Sequence, residues 1–148
     1  FTQAESCGKC TFCRIGTKRM LEILDRLCLG KATRHHLDEL ERLAHQVGAG
    51  SLCGLGKTAP NPVLTTLRYF RSEYDAHIAE KRCPAGVCKA LITYSIIDVC
   101  TGCGMCLRVC PQEAITGEKK ERHVIDQAKC VKCGACRSVC KFDAVAVA

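Results

Sequence analysis

Bulky apolar side chains are scarce in this sequence: it contains no tryptophan, and aromatic residues make up only 5% of its 148 positions. A chain of this length buries only a modest hydrophobic core, so we expect other groups to contribute to its stability. Its longest apolar runs, such as A-L-I-T-Y-S-I-I, fall short of the roughly 18 to 20 residues that span a membrane. The sequence also lacks a G-x-G-x-x-G pattern, a phosphate loop and a paired acid and base. We therefore predict no catalytic site within these residues.

Cysteine, by contrast, is abundant, with 15 residues in the chain. In a short secreted protein such a share would indicate a disulfide scaffold. Three features argue against that interpretation: no signal segment precedes the cysteines, their number is odd, and most lie too close in sequence to bridge without strain. We therefore expect a reducing, cytoplasmic compartment, in which clustered thiols bind metal.

Residues 1–82 have helical periodicity. Leu21, Leu24, Leu27 and Cys28 recur at three- and four-residue spacing before Gly30, which predicts a helix that stops at this glycine. The same periodicity predicts a second helix from Thr33 to Gly48. With Asn61 as N-cap and Pro62 at the first helical position, it also predicts a third helix, which continues to Ile78. These residues are expected to form a helical bundle.

The helical period is lost after Cys83. Residues 83–89, C-P-A-G-V-C-K, have the composition of a linker, and residues 90–148 contain short runs typical of β-strands. These runs lie at 90–97, 114–116, 123–126 and 144–148. The sequence thus predicts an α+β protein with a helical first part and a second part of short strands and cysteine clusters.

The second part contains an internal repeat. C-T-G-C-G-M-C-L-R-V-C begins at Cys100, and C-V-K-C-G-A-C-R-S-V-C begins at Cys130. The shared spacing C-x2-C-x2-C-x3-C is that of bacterial 4Fe–4S proteins, in which the fourth cysteine of each run ligates the other cluster. The predicted ligand sets are Cys100, Cys103, Cys106 and Cys140 for one cluster, and Cys130, Cys133, Cys136 and Cys110 for the other.

A third cluster is indicated near the start of the chain, where Cys7, Cys10 and Cys13 repeat the C-x2-C-x2-C spacing. No fourth cysteine follows nearby. Cys53, in a glycine-rich segment between the second and third predicted helices, is the expected fourth ligand, because an antiparallel bundle returns that segment toward the start of the first helix. The alternative is that Cys53 is a buried structural cysteine.

Three cysteines remain, namely Cys28, Cys83 and Cys88. The spacing of Cys83 and Cys88 suits a metal knuckle, and His77 lies just upstream, so these four residues are predicted to bind one structural zinc. Taken singly, His77 could be a core histidine and Cys28 a small core hydrophobe. The other histidines have no ligand-like spacing to a cysteine and are expected at the surface or in helix caps: His35, His36, His45 and His123.

These motifs resemble a known family. E-S-C-G-K-C-T-F-C-R-I-G with S-L-C-G-L-G is similar to the C-terminal cluster domain of the flavin-carrying, NADH-binding subunit of respiratory complex I. The repeat resembles the two-cluster bacterial ferredoxin domain, although Lys141 stands where a second proline would follow the last cysteine. The cluster domain followed by a two-cluster ferredoxin domain resembles one branch of this family. That branch is the corresponding subunit of NAD(P)-linked, electron-bifurcating iron-only hydrogenases and related formate dehydrogenases.

The resemblance implies one 4Fe–4S cluster in the helical bundle at 1–82 and a two-cluster ferredoxin-like domain at 90–148. The spacing of the remaining cysteines predicts that the linker between them, at 83–89, binds zinc. It implies an electron-transfer module of a hydrogenase-type complex, or of a formate dehydrogenase, in an anaerobe. FMN and NAD(P) would bind in an N-terminal part that precedes these residues. Other subunits of the complex and external ferredoxin would be its partners.

The formal charge of +7 raises a competing interpretation, a multi-zinc interaction or nucleic-acid-binding module. Ligation removes most of that charge, because each 4Fe–4S core with four thiolates carries about two negative charges and a Cys3His zinc site carries about one. The metal-loaded chain would then be close to neutral. The evenly spaced triplets of cysteine also favour iron–sulfur clusters over zinc, so we expect no nucleic-acid partner.

Overall fold

A computed structural model describes all residues, 1–148, and divides them into two compact units, Phe1–Leu91 and Ile92–Ala148. The first unit is helical, and the second combines short strands with short helices, so the predicted α+β composition is confirmed. No helix is long and apolar enough to cross a membrane.

The first unit contains five α-helices and three shorter helical turns. The α-helices are α1 (Thr17–Cys28), α2 (Arg34–Gly50), α3 (Gly54–Thr58), α4 (Asn61–Tyr69) and α5 (Arg71–Asp75). A π-helical turn at Phe12–Gly16 leads into α1, another at Ala76–Glu80 follows α5, and a 3-10 turn lies at Lys89–Leu91. The core of the unit is formed mainly by α1, α2 and α4.

The amphipathic face of α1 differs from the predicted one. Met20, Ile23 and Leu27 are buried in the core, whereas Leu21 is 44% exposed. The buried set follows the i, i+3, i+7 spacing of a helix face, and Leu21 lies one residue off that face. The assignment of Leu21 to the apolar stripe was therefore wrong.

The second helix begins as predicted. Thr33 and His36 form a reciprocal capping box at the N-terminus of α2, in which the His36 ring reaches back to the backbone N–H of Thr33. The helix continues to Gly50, beyond the predicted stop at Gly48. Leu37 and Leu40 lie on its fully buried face.

The third predicted helix is interrupted. Phe70, with φ −126° and ψ 34°, leaves the helical region between α4 and α5. The hydroxyls of Thr66 and Tyr74 form a hydrogen bond of 2.7 Å across this break. Periodicity alone did not reveal the break, because the apolar spacing continues through it.

The second unit contains two small antiparallel sheets. Strands β1 (Tyr94–Ile96) and β4 (Val145–Val147) pair with Tyr94 opposite Val147, and β2 (Ile115–Thr116) and β3 (Val124–Ile125) pair with Ile115 opposite Ile125. All four strands fall within the predicted β-rich runs. Helices α6 (Met105–Val109) and α7 (Ala135–Ser138) were not predicted; each follows a glycine with positive φ, Gly104 or Gly134.

Candidate metal centres

A cavity in the second unit brings together one predicted ligand set. The four cysteines in its wall are Cys100, Cys103, Cys106 and Cys140. Cys100 and Cys103 come from the loop before α6, Cys106 comes from α6 itself, and Cys140 comes from the end of the other repeat. Apolar side chains, among them Ile96 and Val145, complete the wall. An apolar cavity with four thiols is the environment that suits a 4Fe–4S cluster.

A second cavity holds the reciprocal set, with Cys110, Cys130, Cys133 and Cys136 in its wall. Each takes three cysteines from its own repeat and one from the other. The structure thus groups the cysteine side chains as the spacing rule predicts, and the exchange of the fourth ligand between clusters stays a prediction.

The fourth cysteine of each run is held in the same way. The backbone N–H of Ala114 donates to the sulfur of Cys110, and that of Ala144 donates to the sulfur of Cys140, each at 3.3 Å. An N–H group aimed at sulfur stabilises a thiolate. These donors fit a bound cluster, whose ligands are thiolates.

The third cysteine is the most buried of each triplet. Burial raises the pKa of Cys106, and the neighbouring thiols of Cys100 and Cys103 raise it further. Burial likewise raises the pKa of Cys136, beside Cys130. Crowded, desolvated thiols resist ionisation in the metal-free chain, and a bound cation overcomes that resistance because it compensates the thiolate charge.

The predicted bundle site is organised around Cys13, which is 4% exposed within the π-helical turn before α1. The hydroxyl of Ser6 lies 3.3 Å from its sulfur. Gly56 of α3 packs on the other side, since a Cβ at this glycine would lie 3.3 Å from the Cβ of Cys13. The segment that carries Cys53 is thereby placed against the triplet, whose other members, Cys7 and Cys10, are more exposed.

Cys53 is exposed and lies directly before α3, which is a short helix where a loop was predicted. The backbone N–H groups of Gly56 and Leu55 lower the pKa of its thiol. An accessible thiol with a lowered pKa ionises more readily, which suits a metal ligand better than a buried structural cysteine.

The predicted zinc residues also converge. Three of the four bring their ligand atoms within 4.8 Å of one another, namely His77, Cys83 and Cys88. Nδ1 of His77 is 2.7 Å from the carbonyl oxygen of Glu73, to which a protonated Nδ1 donates. That bond leaves Nε2 free to bind a metal, as is usual for histidine ligands.

The pKa values of the two thiols in this group are shifted in opposite directions. Burial opposes ionisation of Cys83, but the backbone N–H groups of Cys88 and Val87 and the ring of His77 lower its pKa to about 6. Burial, with the neighbouring thiols of Cys83 and Cys28, raises the pKa of Cys88 to about 12. A bound divalent cation would favour the thiolate form of both.

Cys28 lies outside the tight group of three. It is the last residue of α1, is exposed, and its thiol helps to raise the pKa of Cys88. It also shares an apolar pocket with His77. The alternative prediction, in which Cys28 is a core residue, was wrong, because the α1 face that enters the core ends at Leu27.

The expectation for His123 was also wrong. This residue is 1% exposed, and its Nδ1 lies 3.6 Å from the sulfur of Cys100. The signal that could have located it is the alternation of strand β3, where His123 and Ile125 are buried and Val124 between them is exposed. His36 is a capping residue, as predicted, and His35 and His45 are exposed.

The fold and these cysteine-lined cavities define an iron–sulfur protein. Residues 1–77 match the family described as NADH-ubiquinone oxidoreductase-F iron-sulfur binding region, and residues 99–144 match the 4Fe-4S dicluster domain. The first match covers half of the chain, and the chain belongs to that family. The family resemblance predicted from the cysteine motifs is thereby confirmed.

Individual relatives agree with this assignment. The chain is 56% identical over 146 residues to the NADP-reducing hydrogenase subunit HndC of Solidesulfovibrio fructosivorans, covering 98% of this chain and 30% of that protein. It is 42% identical over 84 residues to an NADH-quinone oxidoreductase subunit of Streptomyces coelicolor, covering 57% of this chain and 19% of that protein. The chain thus spans less than a third of the length of either relative.

Proposed function

We propose that the chain is an electron-transfer module with three 4Fe–4S clusters and one structural zinc. The observation that carries the proposal is the pair of cavities in the second unit, each lined by four cysteines drawn from both repeats. The first-unit cluster is proposed on Cys7, Cys10, Cys13 and Cys53, with support from the packing of Gly56 against Cys13. Each cluster, when bound, takes up and releases one electron at a time.

The residues of the chain have four tasks in this proposal. Cysteine thiolates hold the clusters, backbone N–H groups such as those of Ala114 and Ala144 fix the orientation of the sulfurs, and glycines let the loops close. Apolar wall residues exclude water from the cavities of the second unit. Low polarity and hydrogen bonds to sulfur together set how readily a site accepts an electron.

The proposed zinc site has a structural role. His77, Cys83 and Cys88, with Cys28 as fourth ligand, would tie the segment that ends the first unit to the C-terminal end of α1. Four protein ligands leave no open position for a substrate, and zinc has no redox chemistry. The convergence of the three ligand atoms within 4.8 Å supports this assignment.

We propose that the parent protein is the flavin-bearing subunit of an NAD(P)-linked, electron-bifurcating hydrogenase. Support comes from the similarity to a NADP-reducing hydrogenase subunit along 98% of the chain, whereas the match to the NADH-quinone oxidoreductase relative covers 57%. FMN and NAD(P) would bind outside these 148 residues. Electrons would pass between that flavin and partner subunits or ferredoxin, in a reducing cytoplasm that keeps the 15 cysteines free of disulfides.

The test is elemental and spectroscopic. We expect about twelve iron, twelve acid-labile sulfide and one zinc per chain after anaerobic reconstitution, with interacting EPR signals after dithionite reduction. Several zinc ions per chain without iron, and no EPR signal, would instead identify a zinc-folded interaction module. Co-purification of the parent protein with its partners separates a hydrogenase from a formate dehydrogenase.

A further inference from the structure

His123 is fixed in place on the wall of the first cysteine-lined cavity. It directly precedes β3, and the adjacent residue Arg122 forms an ion pair with Asp98. Gly117 lies against the ring, since a Cβ at this glycine would stand 2.7 Å from Cδ2 of His123. The imidazole therefore has little freedom to turn away from Cys100.

Once a cluster is bound, the donor and the acceptor in the contact between the His123 ring and Cys100 are fixed. A metal-bound thiolate accepts hydrogen bonds and has no proton to donate, so the proton between Nδ1 and the sulfur belongs to the histidine. Nε2 of the same ring is buried and has no hydrogen-bond partner. The polar contact of the ring is therefore the one between Nδ1 and the sulfur of Cys100, which lie 3.6 Å apart.

The other cavity has a different ring at its wall. Tyr94 lies among Cys110, Cys130, Cys133 and Cys136, with its hydroxyl 3.1 Å from the position that a Cβ on Gly134 would take. Of these two side chains, His123 is the one in hydrogen-bond contact with a cysteine sulfur, through its Nδ1. The two repeats are therefore chemically different at this position of the cavity wall.

We propose that His123 donates an Nδ1–H···S hydrogen bond to Cys100 and so raises the reduction potential of the cluster on Cys100, Cys103, Cys106 and Cys140 above that of its twin. Reduction adds negative charge to the cluster and its sulfurs, and a donor aimed at sulfur stabilises that charge. The inference rests on the proposed iron–sulfur function. Its consequence is that an electron resides preferentially on the His123 side of the second unit.

The first experiment is an EPR-monitored redox titration of the cluster-loaded chain and its His123→Phe variant. Phenylalanine keeps an aromatic ring in the cavity but has no donor. We expect one of the three midpoint potentials to become more negative, with about a tenfold lower ratio of reduced to oxidised cluster at fixed potential, or about 59 mV for one electron. His123→Asn, whose side-chain amide can donate from near the Nδ1 position, should restore part of the shift.

The matched control is Tyr94→Phe, which removes the hydroxyl at the other cavity and should leave the His123-side potential unchanged. Three clusters with unchanged midpoints in His123→Phe would overturn the inference about His123 but leave the electron-transfer proposal standing. A uniform shift of all three midpoints would also overturn it. Protein without iron would overturn both.

A second measurement needs no variant that could unfold. Pulsed EPR of the reduced wild-type chain, labelled with ¹⁵N only in histidine, should detect a histidine nitrogen coupled to a cluster. Of the five histidines, His123 is the one with a nitrogen in contact with a predicted cluster ligand. The absence of any histidine ¹⁵N coupling in the reduced clusters would contradict the proposed hydrogen bond.

Discussion

Gly56 faces the side chain of Cys13: a Cβ on this glycine would lie 3.3 Å from the Cβ of Cys13 and 2.6 Å from the side chain of Ser51. Ser51 is itself almost fully buried, so the segment around it has little room to move. The absence of a side chain at position 56 is what lets the Cys53 segment reach the N-terminal cysteines.

The first prediction concerns this contact. Gly56→Val should displace the Cys53 segment and reduce the iron content by about four atoms per chain, with loss of one of three EPR signals. Gly54→Val is the matched control, because a Cβ at Gly54 meets nothing within 4 Å. Equal iron content in both variants would show that the packing of Gly56 on Cys13 does not support a cluster.

The second prediction tests the exchange of the fourth ligand between repeats. If Cys110 and Cys133 serve the same cluster, the double variant Cys110→Ala/Cys133→Ala should lose about four iron atoms, no more than either single variant. Cys110→Ala/Cys103→Ala should lose about eight, because these cysteines serve different clusters. The reverse pattern of iron loss would mean that each repeat holds its cluster with its own four cysteines.

The third prediction concerns the zinc site. His77→Gln should lower zinc from about one per chain to less than half, with iron unchanged, because the trio loses one of its ligands. His45→Gln, on the exposed face of α2, is the control and should retain zinc. Full zinc occupancy in His77→Gln would exclude this histidine as a ligand.

Cys28→Ser separates the fourth ligand from the other three. We expect weaker zinc binding than in the wild type, measured by competition with a chelator, but more zinc than in His77→Gln, because Cys28 lies at the edge of the group and is exposed. Zinc affinity equal to that of the wild type would mean that water or another residue completes the site.

The fourth prediction concerns the helical core. Leu40 is 0% exposed, and Leu40→Ala should lower the free energy of unfolding by about 2 to 5 kcal/mol through lost burial and the cavity left behind. Leu21→Ala, on the same unit but 44% exposed, should change it by about 0.5 kcal/mol or less. Denaturant unfolding of the two variants measures both changes in the free energy of unfolding. A loss in Leu21→Ala as large as that in Leu40→Ala would contradict the orientation of α1, which leaves Leu21 exposed.

Local features of the sequence were sufficient to predict much of the fold and the grouping of the cysteines. Three thiols at every third position can surround one cluster because the chain between them is short, and this holds whatever the rest of the fold does. The strands, the start of the second helix near Thr33 and the family membership also follow from short-range patterns.

The tertiary structure decided which side each residue faces and what lies across from it. The break at Phe70, the exposure of Leu21 and the packing of Gly56 on Cys13 depend on contacts between distant segments. His123 is the clearest case, because a histidine beside a strand has no spacing signal toward a cysteine far along the chain. Only the pairing of β2 with β3 turns its ring toward Cys100, since register determines which face of a strand is buried.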